Sequence, residues 1–354
     1  MKVLLVDTFL KGHHLSYLNS LSELNEDIEI VIPHESEKVI MPRDRIHYIT
    51  VDKTDKLWYF KWLKLLRGLV EEIKPDIVHF LYGDDLYRYM GIGLREACIG
   101  CRIVVTFHQV RHSKLRDFGR KIYGKQLDAA VVHTEQLKND FEILGVQNVF
   151  HVEYPQFCEA AQVPQKTAQL ELGICDNCPV LLALGGTRWD KGLDLLLDSL
   201  SNVKAPFHLL VAGKELNFSR ADIESRIKNY HDKVTLLLEF LSDEQFSLCL
   251  SAADIVVLPY RKQFDGASGP LGEGVWQRKM IVGANHGSLG RTIEDNHLGM
   301  TFESENVQSL TQVLEIALTT KFVEDSKYIQ YREKMSPKRF QREYRAIYSK
   351  LMNY

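Results

Sequence analysis

Ala183-Leu-Gly-Gly-Thr-Arg-Trp-Asp-Lys-Gly-Leu-Asp194 is the stretch on which the reading of this chain turns. The apolar run Val180–Leu184 reads as a buried strand. It ends at two glycines, two cations follow, and a helical pattern begins near Gly192. Glycine lets a ligand approach the backbone, and a helix N-terminus offers unpaired N–H groups at the positive end of its dipole. Arg188 and Lys191 stand three residues apart, so both could face one site. The pattern suits a diphosphate; a solvated turn with incidental charges is the plainer alternative.

Outward from this loop, short apolar runs alternate with stretches whose apolar residues recur every three or four positions. That is the signature of parallel sheets with crossover helices. In the first half Val3–Val6, Ile28–Ile32, Ile77–Phe80, Ile103–Thr106, Ala129–Val132 and Val149–Val152 read as strands, with helices at Trp58–Ile73, Tyr87–Ala97 and Glu135–Leu144. Near Tyr154 the pattern stops in a proline-bearing connection with one short helix. It restarts with Val180–Leu184, Phe207–Ala212, Val234–Leu238, Ile255–Leu258 and Ile281–Ala284. A chain of 354 residues is too long for one ordinary core. The pattern divides it into an N-terminal α/β domain over 1–160, a second over 175–335 and a terminal helix over 336–354, opened by Ser336-Pro337. Two such sheets side by side put a cleft between their carboxyl edges, where ligands of open α/β sheets bind.

A second loop stands at such an edge. Asp254-Ile-Val-Val-Leu-Pro-Tyr260 runs into Arg-Lys-Gln-Phe-Asp-Gly-Ala-Ser-Gly-Pro-Leu-Gly-Glu-Gly274. Backbone amides around Pro270–Gly272 could serve the same phosphates, although Pro270 has no N–H. Asp265 and Glu273 bracket the loop; carboxylates there suit sugar or ribose hydroxyls. The plain alternative is that Glu273 caps its helix.

The two loops together resemble the retaining GT-B glycosyltransferases of family 4, the glycosyl transferases of group 1. Gly185 to Asp194 reproduces their G-x-x-R-x-x-K-G-x-D, and Asp265-x7-Glu273 stands where they carry Glu-x7-Glu. Ala253–Pro259, Leu210-Val-Ala-Gly-Lys214 and Val234–Asp243 resemble the neighbouring strands and the segment near the base. The resemblance implies two Rossmann-like α/β domains facing each other across a cleft, with the C-terminal helix returning to the N-terminal domain. It implies retaining glycosyl transfer, hexosyl or related, from a UDP- or GDP-linked sugar to a hydroxyl of a glycan or lipid-linked saccharide. Arg188 and Lys191 would neutralise the diphosphate, so that no metal is needed; Asp84-Asp85 lacks the Asp-x-Asp spacing of a metal motif. A front-face route fits, in which the departing phosphate oxygen helps take the acceptor proton. Gly186, Gly213, Lys214, Leu241, Gly269, Leu271 and Gly272 would complete the donor site. Glu273 would hold the ribose and Asp265 the transferred sugar. Aspartate at 265 is one methylene shorter than the family's glutamate, which bears on donor identity.

On the acceptor side, Ile103-Val-Val-Thr-Phe-His108-Gln109 ends a strand in Thr-x-His, and His108 resembles the family's cleft-facing histidine. Many members follow it with an acid; here it is Gln109. A strand-end histidine that only bonds its neighbours is the alternative. In Lys11-Gly12-His13-His14, Gly12 fits the family's glycine-rich acceptor loop, and His13 and His14 are acceptor-side polar groups at best. Adjacent histidines at a helix start point in different directions and make a poor metal pair. Lys56–Arg67 is aromatic and basic, and reads best as a crossover helix with a large core face. The segment 111–125 holds six Lys/Arg against one Asp and could border an anionic lipid or a lipid phosphate.

The rest of the composition excludes more than it selects. A net charge of −3 gives no global pull toward nucleic acid. No run approaches the ~18 apolar residues that read as a membrane helix. The N-terminus reads as a buried strand rather than a signal peptide. A cytoplasmic location is expected, with peripheral contact at the inner membrane face open through 111–125. The pairs Cys98/Cys101 and Cys175/Cys178 lie too far apart for a zinc module and read as free thiols. Val6–Gly12 has no G-x-G-x-x-G, which argues against a dehydrogenase. The competing readings are a nucleotide-sugar 2-epimerase, a phosphorylase, or a non-catalytic nucleotide-sugar-binding subunit of a transferase complex.

Overall fold

Strands buried on both faces read as continuous apolar runs, and that is how this chain builds its sheets. The computed structural model describes residues 1–354 apart from 11–12, 25, 85, 109–112, 158–162, 175–176, 265–267, 354 and the side chains of 13 and 114. The first sheet contains β1 (Lys2–Val6), β2 (Asp27–Ile32), β3 (Ile46–Tyr48), β4 (Ile77–Phe80), β5 (Arg102–Phe107), β6 (Ala129–Val132) and β7 (Val149–His151), in the order β3-β2-β1-β4-β5-β6-β7. The second contains β8 (Val180–Leu184), β9 (His208–Ala212), β10 (Val234–Leu237), β11 (Ile255–Leu258), β12 (Met280–Ala284) and β13 (Gly299–Phe302), in the order β10-β9-β8-β11-β12-β13. Pairing is parallel throughout. Each sheet reverses its strand order once, between β1 and β4 and between β8 and β11. Ligand crevices of such sheets form at these switch points.

Sequence reading misses the short edge strands β3 and β13. Three residues carry too little pattern, and Gly299 breaks the apolar run of β13. The helix expected over Tyr87–Ala97 is instead a 3₁₀ turn, Tyr87–Tyr89, and one helical turn, Leu94–Ala97. Met90, Gly91 and Gly93 adopt left-handed backbone between them and interrupt the hydrogen-bond ladder.

Contacts divide the chain into two units, Met1–Phe157 with Ser336–Tyr354, and Cys158–Met335. The short helix Gln165–Glu171, read from sequence as part of a connection, packs into the second unit, where Gln165 donates to Asp254 at 2.9 Å. The terminal helix Pro337–Met352 joins the first unit through a buried polar chain. His133 Nδ1 lies 2.8 Å from the Val152 carbonyl, which can only accept, so Nδ1–H donates there. The other directions follow. Tyr17 donates to His133 Nε2 at 3.2 Å, Tyr344 donates to Tyr17, and Thr106 donates to Tyr344 at 2.8 Å. His79 Nε2 donates to Thr106 at 2.9 Å, and Tyr348 donates to His79 Nδ1 at 2.6 Å. Burial pushes His79 down to about 3 and His133 to about 4, so both rings are neutral, as the chain requires.

Candidate active site

In the second unit the site begins with a register. Leu184 pairs with Ala212, so Gly185 and Gly213 leave the sheet side by side. A Cβ on Gly213 would lie 2.4 Å from the Gly185 carbonyl, and Gly213 has a φ of 139°. Only glycine fits there. The loops after β8 and β9 are then sewn together. Thr187 N–H donates to the Lys214 carbonyl at 3.0 Å, Leu216 N–H donates to Thr187 Oγ1 at 2.8 Å, and that hydroxyl donates to Phe218 at 2.7 Å.

A half-open recess lies at the ends of β8, β9 and β11, bordered by Gly185, Gly186, Thr187, Lys191, Pro259 and Tyr260. The Lys191 ammonium sits 2.5 Å from where a Gly185 Cβ would be and 5.6 Å from the Tyr260 ring centre. It makes no ion pair among the described residues. A cation over bare backbone at a switch point is an anion site in geometry and charge.

Arg188 is placed differently from the expectation that it shares Lys191's site. Its guanidinium grips Asp190 with two hydrogen bonds, one of 2.9 Å, and is half exposed. The physical reason is local: Arg188 is extended at the start of the 3₁₀ turn Trp189–Lys191, which brings a carboxylate within its reach. Asp194, the last residue of the motif, is structural. It accepts from Arg261 at 2.9 and 2.6 Å; Arg261 also donates to the Trp189 carbonyl at 2.7 Å and lies 4.1 Å from the Trp189 ring centre. This part-buried pair ties the loop after β11 to the loop after β8.

The helix Gly269–Trp276 is capped by Ser268, whose hydroxyl accepts from Leu271 N–H at 3.2 Å and lies 3.1 Å from the Tyr260 hydroxyl. Capping is therefore not the task of Glu273. Glu273 is buried inside the helix, and burial, helped by Asp243, pushes its carboxyl up to about 7. Gly269, Leu271 and Gly272 form the first helical turn. Leu241 packs against the core beyond β10, and Lys214 contributes its carbonyl while its side chain is exposed. Asp265 lies outside the described residues, as do Gly12, Gln109, Cys158, Cys175 and the side chain of His13.

In the first unit His108 follows β5. Its N–H donates to Asp84 at 3.2 Å and its Nε2–H to the Leu81 carbonyl at 2.9 Å. Its ring stacks on Tyr82 at 5.0 Å and meets Tyr17 edge-on at 5.1 Å. Its neighbour His14, read from the sequence as an acceptor-side polar group, meets a partner that the sequence did not show. His14 Nδ1 lies 2.9 and 3.1 Å from the two oxygens of Asp7, which also accepts from Phe9 N–H at 2.9 Å. Asp7 is buried; desolvation raises its pKa, and the His14 hydrogen bond opposes the rise. The available signal was a lone carboxylate directly after an apolar strand, at the edge where sheets bind ligands. The helix Lys114–Gly124 leaves Leu115 74% and Phe118 54% exposed, with Arg116, Lys121 and Lys125 exposed beside them.

Among the described residues Cys98, Cys101, Cys178 and Cys249 are free thiols, and no group of three or more potential ligands could hold a metal ion. No helix among them is long and apolar enough to cross a membrane.

Two family models match the sequence: glycosyl transferases group 1 over residues 178–320, and glycosyl transferase 4-like over residues 2–116. No curated protein matches it. Solved structures resemble its fold along nearly their whole length. A glycosyltransferase from Rickettsia africae is 17% identical with a TM-score of 0.79, covering 99% of this chain and 98% of that one. Sucrose-phosphate synthase from Thermosynechococcus elongatus is 14% identical with a TM-score of 0.77, covering 99% of each. Anabaena HepE, solved in complex with UDP and glucose, is 13% identical with a TM-score of 0.77, covering 99% and 100%. At these identities the likeness is one of fold.

Proposed function

This chain belongs to the glycosyl transferases of group 1, with the GT-B type of fold, and on that premise we propose that it transfers a sugar from a UDP- or GDP-linked donor to a hydroxyl of a glycan or lipid-linked saccharide, with retention and without a metal. The observation that carries the donor reading is the recess after β8, where Lys191 stands over Gly185 without an ion-pair partner among the described residues. A departing diphosphate needs compensation of its charge, which a fixed cation and backbone amides supply. Arg188, half exposed and paired with Asp190, is assigned as the second cation on the family resemblance. The UDP and glucose in the HepE structure support a nucleotide-sugar donor. Glu273 is assigned to the ribose, and His108 and Asp265 to the transferred sugar, as the family resemblance implies.

A thermal-shift screen of the metal-free protein against UDP, GDP, ADP, CMP and their sugars tests this. Stabilisation by one nucleotide series, absent in Lys191→Ala, is the expected result; no shift with any nucleotide overturns the donor reading. Product of inverted anomeric configuration overturns retention. We further assign Leu115 and Phe118 with their flanking cations to an anionic membrane face. Salt-sensitive flotation with anionic liposomes, lost in a Leu115→Ser/Phe118→Ser variant, is expected; equal flotation with neutral vesicles argues against it.

A further inference from the structure

The helix Trp58–Ile73 has two faces, and the core uses one of them. Its inner face packs Trp58, Tyr59, Trp62, Leu63 and Leu66 against the first sheet, as a crossover helix should. Its outer face begins with Leu57 and Phe60, 57% and 45% exposed, and continues with Leu65. Lys56 and Lys64 are exposed beside them and make no ion pair among the described residues. The character changes along the helix, whose last turn exposes Glu71 and Glu72 instead. A helix that joins parallel strands starts near the carboxyl edge of the sheet and returns to the amino edge. Three residues separate Ile73 from β4, and four separate Gly124 from β6. The helices Trp58–Ile73 and Lys114–Gly124 therefore both end at the amino edge, and the acids of the first lie there. Leu57 and Phe60 on one, and Leu115 and Phe118 on the other, stand toward the carboxyl edge. The chain between residues 87 and 93 bridges the two helices. On one side a Cβ on Gly119 would meet the Tyr87 carbonyl at 3.1 Å, and Gly91 backs onto Gln126. On the other side Tyr89 stacks on Tyr59 at 4.1 Å, and Gly93 backs onto Leu63. The bridge presents Ile92, which is exposed, and Arg88, whose guanidinium lies 4.9 Å from the Tyr89 ring centre and 5.9 Å from that of Trp58.

We propose that the N-terminal ends of these two helices, with the bridge between them, form one surface that rests on an anionic lipid bilayer; this rests on the membrane assignment of Leu115 and Phe118 and extends it to a second helix. Exposed apolar groups gathered on one face of a domain mark a surface that something covers. The charge says what covers this one. Exposed cations without ion partners stand among the apolar side chains, an arrangement that suits lipid phosphates outside and acyl chains within. The core of a protein–protein interface is instead depleted of lysine. Asp55 pairs with Lys61 and Asp117 with Arg120, so neither cancels that charge. Because the apolar ends of both helices stand at the carboxyl edge and the acidic end of the first lies at the amino edge, the ligand-binding edge of this unit is the one turned toward the lipid.

Flotation of the full chain with vesicles of equal parts phosphatidylcholine and phosphatidylglycerol tests this. Leu57→Ser/Phe60→Ser removes the apolar part of the second helix, and Lys56→Glu/Lys64→Glu reverses its charge. All four side chains are exposed, so both variants are expected to keep the wild-type melting temperature. Each is expected to lower the vesicle partition coefficient about tenfold or more. The loss in the charge-reversed variant is expected to shrink at high salt, which screens the lipid surface. If both variants float like wild type while Leu115→Ser/Phe118→Ser does not, the second helix is overturned and the assignment of Leu115 and Phe118 stands. Wild-type protein that fails to float, or floats equally with phosphatidylcholine alone, overturns both. A wild-type dimer in light scattering that Leu57→Ser/Phe60→Ser dissociates gives the surface to a second copy of the chain and overturns the bilayer.

Discussion

The carboxyl edges of the two sheets solve different problems with different materials. After β8 the site is made of absent side chains. Gly185 and Gly213 touch backbone to backbone, Gly186 opens the next step, and one ammonium rests over the gap. After β1, β4 and β5 the site is made of side chains, with Asp7, His14, Tyr82 and His108 holding one another by hydrogen bonds and ring contacts. On the proposed reading, the contrast follows from the ligands assigned to the two edges. A diphosphate presents charge on all sides and is met by any close cation or amide. A single hydroxyl presents one donor and one direction, and only a side chain fixed in tautomer and orientation reads it.

If the glycine edge works through the Lys191 ammonium, Lys191→Ala should cut turnover by about 10²–10³-fold, the order lost with one preorganised charge-stabilising group. Steady-state kinetics at saturating donor would show it, and a loss under tenfold would mean that backbone amides alone carry the charge. If bare backbone is the other half of that edge, Gly213→Ala should cost about 3 kcal/mol, because a Cβ meets the Gly185 carbonyl at 2.4 Å in a positive-φ conformation. Urea unfolding would register this as a lower midpoint at unchanged slope, whereas a neutral result would mean the two loops can part.

Glu273 separates the edges by pH. Its folded pKa of about 7 lies above the ordinary 4.5, so the native state binds more protons than the unfolded state between those values. Stability is then full below pH 4.5 and falls as pH rises to about 7, by roughly 3 kcal/mol at order of magnitude. Glu273→Gln should remove that slope and unfold at higher urea than wild type at pH 8, with the difference closing toward pH 4. On the side-chain edge, Tyr344→Phe interrupts the polar chain that runs beneath His108 and should cost about 1–2 kcal/mol. The same substitution leaves donor-induced thermal shifts unchanged if the glycine edge is independent of it.

Most of the fold was readable because it rests on short-range pattern. Ile77–Phe80, Ala129–Val132, Val180–Leu184 and Ile255–Leu258 are strands at the bounds their apolar runs suggest. Where the pattern was thin, in β3 and β13, or broken by left-handed residues after Tyr89, reading failed. At the site, Lys191, Gly185 and Gly213 were legible, since a glycine at a strand end leaves few reasons for being there. The Arg188–Asp190 pair was not legible, because the reading of Arg188 rested on its spacing from Lys191 alone. Asp194 carried a motif's expectation and proved to hold Arg261, sixty-seven residues away.

By itself the sequence determined the alternation of strand and helix, the two sheets, and the glycine-and-lysine loop after β8, since all of these depend on neighbours within a few positions of one another. Only the tertiary structure decided which polar groups meet. It put Asp7 on His14, Arg261 on Asp194, and Tyr344 of the last helix on Tyr17 of the first, 327 positions apart. The physical reason is that a buried hydrogen bond is chosen by which groups lose water together, and that choice is made by packing, after the local pattern has been spent.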